Sequence, residues 1–147
     1  MKQKNYYIIM ASIALIAVIV SITAEIEHVT QQSSLQGFCN AFGKSSCQTV
    51  QDSVYGKIFG MDTAIYGIVG FSLLLIVSAL FYFTKKKLFQ NLTIIGTLIG
   101  GLMALRFLYL QAFVLHLFCI FCVVVDTLGV ILLGIGIFLA AKTMKKR

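Results

Sequence analysis

Two pairs of cysteines are the residues of this chain best suited to chemistry. Cys119 and Cys122 form a C-x-x-C motif inside the last and longest apolar run, whereas Cys39 and Cys47 lie in a polar segment nearer the N-terminus. A C-x-x-C on a helix is a favoured geometry for a reactive pair of thiols. Two dithiols can pass a disulfide from one to the other through mixed disulfides. The cysteines therefore predict thiol–disulfide exchange.

Four cysteines also suit a zinc site or a pair of structural disulfides. Cys39 and Cys47 lack the short spacing of structural zinc ligands, and the other pair lies within a predicted membrane helix, so we expect no metal. A Cys39–Cys47 disulfide that only closes a small loop is an alternative for that pair taken alone. Four cysteines allow three pairings, and the sequence does not choose among them.

The composition places these cysteines in a membrane protein. Hydrophobic residues make up 59% of the 147 residues, proline is absent, and the mean hydropathy is +0.95. Four apolar runs, over residues 6–24, 64–84, 92–110 and 112–141, are long enough to cross a hydrocarbon core of about 30 Å. The first run resembles a signal peptide, but its length and weak cleavage site favour an anchor. We expect one all-α integral membrane domain over residues 1–147, built as a four-transmembrane-helix bundle.

The net charge of +7 does not indicate nucleic-acid binding, because the distribution of the basic residues is typical of membrane topology. Nine basic residues fall on one side of the four-helix arrangement: Lys2, Lys4, Lys85, Lys86, Lys87, Lys142, Lys145, Lys146 and Arg147. Because Lys and Arg are retained in cytoplasmic loops, both termini are expected in the cytoplasm of a cell-membrane protein. The loop over residues 25–60 is then extracytoplasmic, in a compartment that permits disulfides.

This outer loop contains a predicted helix. Ser45 followed by Gln48 forms a capping-box pattern, so a helix is expected from Ser46 to about Gly60. One face of that helix would carry Cys47, Val50, Val54 and Ile58. It is too short to span, which predicts an amphipathic helix lying on the membrane surface. There we expect it to cap the bundle and to roof a pocket. Cys47 would lie in its first turn, where the helix N-terminus stabilises a thiolate.

The fourth apolar run places the C-x-x-C motif at the outer edge of the membrane. A very short turn is expected at residues 110–112, so His116 would precede Cys119 by one turn of the same helix. Asp126 would follow Cys122 by one turn; it is either part of the site or a neutral acid paired with a neighbouring helix. Electrons that reach a dithiol at this depth need an acceptor. Since the chain has no haem or flavin signal, the lipid pool offers quinones.

The order of these residues resembles a known family. Cys39-x7-Cys47, then Ser53, then Tyr55-Gly56, and finally C-x-x-C at the outer end of the fourth helix are similar to the vitamin K epoxide reductase family. The resemblance covers essentially the whole chain. It implies that Cys39 and Cys47 exchange with a thioredoxin-like partner. It also implies that Cys119 exchanges with the loop pair and that Cys122 attacks a quinone.

The resemblance further implies which residues contact the quinone. Ser53, Thr63 and Asp126 would line its pocket beneath the capping helix, with Val54 in the roof. Thr63 stands where animal members have asparagine, and Asp126 stands where they have tyrosine. These differences favour the prokaryotic type, whose members reduce quinone to drive disulfide formation. No thioredoxin domain is fused to the sequence, so the partner is expected to act in trans.

We therefore expect a membrane thiol:quinone oxidoreductase that uses a quinone of the ubiquinone, menaquinone or vitamin K type. A vitamin K epoxide reductase on the same fold is the first alternative. A non-catalytic helical membrane subunit with structural disulfides is the second alternative, from a different class of protein.

Overall fold

The computed structural model describes residues 3–30, 56–58, 60–116 and 119–145. Four α-helices dominate it: α1 (Gln3–Thr30), α2 (Thr63–Thr84), α3 (Lys87–Tyr109) and α4 (Ile120–Met144). A hairpin of β1 (Lys57–Ile58) and β2 (Met61–Asp62) precedes α2, and a π-helical segment (Leu110–Leu115) continues α3. Stretches long and apolar enough to cross a membrane are Asn5–Ile26, Thr63–Thr84, Lys87–Leu115 and Ile120–Met144. The predicted bundle of four membrane helices is confirmed.

The helices are apolar on almost every side, because their outer faces meet lipid rather than water. Large hydrophobic side chains are well exposed on each of them, for example Ile19, Leu73, Ile99 and Ile137. On a water-soluble protein such a surface would drive association. A helix that is hydrophobic all round suits a bilayer, where an α-helix satisfies its own backbone hydrogen bonds.

Side-chain contacts fix which helix ends lie together. The ring centroids of Tyr7 and Phe81 are 4.2 Å apart, so the start of α1 lies against the end of α2. The amide of Gln90 donates to the Thr143 hydroxyl at 2.8 Å, which joins the start of α3 to the end of α4. We call this the lysine end, since it carries Lys85, Lys86, Lys87, Lys142 and Lys145. The opposite end, with β1, β2 and the start of α4, is the thiol end.

Helix α3 approaches α4 closely at Gly101. A Cβ atom there would collide with the Leu133 side chain of α4. The adjacent Gly100 has nothing within 4 Å of the place where its Cβ would lie. Small residues let membrane helices pack backbone to backbone. Only one of the two neighbouring glycines therefore serves the contact with α4.

The predicted capping helix is wrong at its C-terminal end. Residues 31–55 lie outside the described residues, but Gly56 is in a turn and Ile58 lies in strand β1. Gly60, with φ of 81°, reverses the chain so that Ile58 pairs with Met61. A positive φ is readily adopted by glycine, and here it makes a hairpin turn instead of a helix stop. At the base of the hairpin, the Thr63 N–H donates to the Gly56 carbonyl at 2.9 Å.

The turn predicted at residues 110–112 is also wrong. The chain stays helical through Leu115, with π-type hydrogen bonding, and turns at His116, whose φ is 51°. Helix α4 then begins at Ile120, and His116 does not share a helix with Cys119. The turn contains neither glycine nor proline and is flanked by apolar residues, so hydropathy does not mark it.

The first helix is longer than predicted. It was expected to end near residue 24, but α1 continues to Thr30.

Candidate active site

The two cysteines of the C-x-x-C motif meet at the start of α4. Cys119 is the N-cap residue, with extended backbone at φ −84° and ψ 113°, and its Sγ accepts a hydrogen bond from the Cys122 N–H at 3.4 Å. No disulfide joins these two cysteines, and their Sγ atoms lie 2.7 Å apart. A disulfide needs about 2.05 Å, so oxidation that removes two electrons and two protons would need only a small approach of the sulfurs. Free N–H groups at a helix N-terminus stabilise negative charge, which suits a sulfur that becomes anionic during exchange.

The two thiols differ in what they can reach within the described structure. Cys119 is fully buried, packed among Leu115, Ile120, Phe121 and Cys122. Cys122 is partly exposed and lines a cavity inside the bundle. A molecule held in the cavity would therefore meet Cys122 first, and Cys119 would act through Cys122 or through the outer side.

The cavity has a volume of about 720 Å³ and lies between all four helices. That volume falls within the range of about 300–1,000 Å³ typical of small-molecule sites. Its lining is mostly apolar, with polar side chains at the thiol end: Thr63, Gln111, Cys122 and Asp126. This lining suits an apolar molecule that carries a polar group at one end.

The structure brings three of the sequence-predicted site residues to this cavity. Cys122 and Asp126 come from α4, and Thr63 is the first residue of α2. Cys119 joins them through its contact with Cys122. The other four predicted residues, Cys39, Cys47, Ser53 and Val54, lie outside the described residues, and their roles stay predictions.

Sequence reasoning missed Gln111, which connects two parts of the site. Its Nε2 donates to Asp126 Oδ2 at 3.1 Å, and its Oε1 accepts from the Cys119 N–H at 3.3 Å. Gln111 lies in the π-helical segment and is only 3% exposed. A glutamine within an apolar run was the available signal, since a buried amide at membrane depth needs partners. The short turn predicted at residues 110–112 includes Gln111, so the sequence did not place this glutamine within a membrane helix.

Ser21 on α1 is a second polar residue that the sequence did not single out. Its side chain is 2% exposed and borders the cavity. Among the described residues its Oγ has no hydrogen-bond partner. A Cβ atom on Gly67 would lie 3.1 Å from this oxygen, so the glycine leaves room for the hydroxyl. The cavity thus has a polar residue on α1 as well as those on the other helices.

A pair of adjacent thiols beside an apolar cavity in a four-helix membrane bundle is the arrangement of a membrane redox protein. A profile of the Vitamin K epoxide reductase family matches residues 8–137. Since the match covers most of the sequence, the chain belongs to this family. It is an integral membrane protein, and its family implies oxidoreductase activity. No curated protein matches the chain.

Proposed function

We propose that this protein is a membrane thiol:quinone oxidoreductase that supports disulfide formation. The observation that carries the proposal is the position of Cys122, 2.7 Å from the Cys119 sulfur and at the wall of the apolar cavity. One side of the dithiol can exchange with other thiols, while the other side meets a lipid-soluble oxidant. A quinone has the required combination of an apolar body and polar oxygens.

Electrons would enter through the loop cysteines. A thioredoxin-like partner gives its electrons to the Cys39–Cys47 disulfide, and the reduced loop pair then reduces the Cys119–Cys122 disulfide through a mixed disulfide. Cys119 serves this exchange, and Cys122 serves the quinone. In the last step two S–H bonds break, the Cys119–Cys122 bond forms, and the quinone takes two electrons and two protons to become hydroquinone.

Quinone contacts are assigned to the polar residues of the cavity. Thr63 and Asp126 come from different helices at the thiol end, and both line the cavity. Ser53 and Val54 are proposed to complete the pocket from the outer loop. The basic residues at the lysine end support a cytoplasmic position for both termini, which puts the thiol end and the loop outside.

The deciding experiment is anaerobic quinone reduction with a reduced thioredoxin-like protein as donor. Wild type should reduce quinone, and Cys→Ala at position 39, 47, 119 or 122 should each bring the rate to background. Val124→Ala is the matched control, since Val124 lies on the same helix and is 40% exposed. A wild type that reduces no quinone, or a Cys122→Ala variant as active as Val124→Ala, would refute the proposal.

The route of the electrons is tested by trapping. In Cys122→Ala the Cys119 thiol has no neighbour to release it, so a mixed disulfide with the loop should persist. Peptide mapping without reduction should show Cys47 joined to Cys119. A Cys39–Cys119 bond would reverse the roles of the two loop cysteines. A Cys39–Cys47 bond alone, together with intact quinone reduction, would mean that there is no relay.

Vitamin K epoxide reduction is the second candidate function, and the description of the matched family favours it. The epoxide needs the same two electrons from a dithiol. Purified protein should therefore be offered vitamin K epoxide and a quinone in parallel. We expect turnover of the quinone, since Thr63 and Asp126 stand where animal family members are expected to have asparagine and tyrosine. Faster turnover of the epoxide would make the second function the principal one.

A further inference from the structure

The side chain of Gln111 joins two groups of the site that are well separated along the chain. One end of its amide accepts from the Cys119 N–H at 3.3 Å, and the other end donates to Asp126 Oδ2 at 3.1 Å. The side chain is 3% exposed, so water does not compete strongly for either hydrogen bond. The electron route proposed above uses neither of these bonds.

The two partners determine which way the amide faces. A backbone N–H can only donate, so Cys119 requires the Oε1 atom of Gln111. Nε2 is then directed to the Asp126 carboxyl, which accepts. Turning the amide over would set two donors face to face at Cys119. Each hydrogen bond therefore supports the other, and the position of Asp126 is linked to the position of the C-x-x-C motif.

The backbone around Gln111 is irregular in a way that serves this link. Gln111 lies in the π-helical segment Leu110–Leu115, after which the chain reverses at His116 and returns to Cys119. Short π-helical segments occur frequently at functional sites. The Gln111 side chain connects the end of the third membrane helix to the start of the fourth.

Asp126 is placed where a proton could be needed. It lies one helical turn after Cys122, and both residues line the cavity. Oxidation of the dithiol releases two protons as well as two electrons, and a quinone becomes hydroquinone only when it receives both kinds of particle. A carboxyl group between a thiol and a quinone oxygen can take a proton from one and give it to the other.

We propose that Gln111 is a positioning residue that holds Asp126 as the proton carrier between the dithiol and the quinone. This inference rests on the proposed function. The S–H bonds of Cys119 and Cys122 break, their S–S bond forms, and the quinone gains two electrons and two protons. Asp126 takes one of these protons and passes it on, so it ends each turnover in the state in which it began.

Exchanging the two side chains tests the link. Gln111→Glu keeps an acceptor for Cys119 but replaces the amide donor to Asp126 with a second carboxyl group. Asp126→Asn keeps an acceptor for Gln111 but is no longer an acid. Each change should lower kcat for anaerobic quinone reduction about 100-fold, as loss of a proton carrier does, with little change in KM. The double variant Q111E/D126N again has one acid and one amide side by side. It should recover at least about tenfold over either single variant.

Two controls keep the outcome clear. Gln111→Leu should lower kcat strongly, whereas Gln90→Leu, the same change at the buried glutamine of the lysine end, should leave kcat unchanged. Oxidation of the dithiol by diamide, which needs no quinone, should proceed at the wild-type rate in Q111E, D126N and the double variant if they are folded. Losses that simply multiply in the double variant, or equal kcat for the two leucine variants, would overturn the link. If either result is obtained with a wild type that reduces quinone, only the link is refuted and the proposed function stands. A wild type that reduces no quinone refutes the proposed function as well.

Discussion

The third membrane helix has two faces that use glycine in opposite ways. Towards α4 the contact is closed: Gly101 admits the Leu133 side chain, and Gly136 of α4 admits Thr97. Towards α2 the contact is partly open: a Cβ on Gly96 would meet Leu74, but Gly100 and Gly70 have nothing within 4 Å of where a Cβ would lie, and both line the cavity. We call these the closed interface and the open interface.

The difference shows how one bundle can be both rigid and hollow. In a bilayer, close packing and interhelical hydrogen bonds hold helices together, because lipid is as apolar as the helices themselves. The closed interface supplies that packing along α3 and α4. Gln111 lies in the segment that continues α3, and the C-x-x-C motif and Asp126 belong to the start of α4. The open interface is then free to leave space for a ligand.

The largest effect on stability is expected at the closed interface. Gly101→Ala places a methyl group against Leu133, and overpacking of this kind costs about 1–3 kcal/mol in the free energy of unfolding. Gly100→Ala is the matched control: it meets no neighbour and should be neutral or stabilising by up to about 1 kcal/mol. Reversible unfolding in detergent measures both. Equal effects of the two changes would mean that the faces of α3 do not differ as described.

The open interface is tested by filling it. Gly70→Leu would occupy part of the cavity, so KM for quinone should rise about tenfold, equivalent to about 1.4 kcal/mol of binding free energy. Gly134→Leu makes the same change at a glycine that also has open space but does not border the cavity. It should leave KM unchanged. A normal KM in Gly70→Leu would place the quinone elsewhere.

The hydrogen bond at the lysine end should matter less. Gln90→Leu removes the 2.8 Å bond to Thr143, whose hydroxyl keeps its own bond to the Leu139 carbonyl. Interhelical hydrogen bonds in membranes contribute about 0.6 kcal/mol on average, so a loss of that order is expected in the free energy of unfolding. Thermal unfolding in detergent can be compared with quinone turnover, which should be normal. Lower turnover would show that the closed interface is coupled to the site along its whole length.

The smallest effect is expected outside both interfaces. The Lys142 Nζ lies 5.5 Å from the centre of the Tyr6 ring, and such cation–π contacts contribute about 0.5 kcal/mol at exposed sites. Lys142→Gln should therefore lower the free energy of unfolding by about this amount, and Lys145→Gln, at the last described residue, by less. Denaturant titration of both variants makes the comparison. A loss above that of Gln90→Leu would contradict the ranking.

Much of the architecture could be predicted because hydropathy responds directly to lipid. Four long apolar runs predicted four membrane helices, and the described residues contain four helices that are long and apolar enough to cross a membrane. The i, i+4 spacing of Cys122 and Asp126 placed both on one side of a single helix, and both line the cavity. These features depend on residues close together in the chain, so the local sequence carries them.

Other features were decided only by tertiary structure. The turn at His116 is surrounded by apolar residues on both sides, so hydropathy continues across it and the fourth helix was started too early. Gln111 has hydrogen-bond partners 8 and 15 residues away, on the other side of that turn. Helical periodicity does not continue across a turn, so it could not predict these contacts. Gly100 and Gly101 are the same residue type at adjacent positions, and both line the cavity. Only the packing of α2 and α4 around α3 brings the Leu133 side chain against Gly101 and leaves open space beside Gly100. Local sequence specifies which segments enter the membrane, but side chains that meet across helices decide where the cavity opens and which polar groups face it.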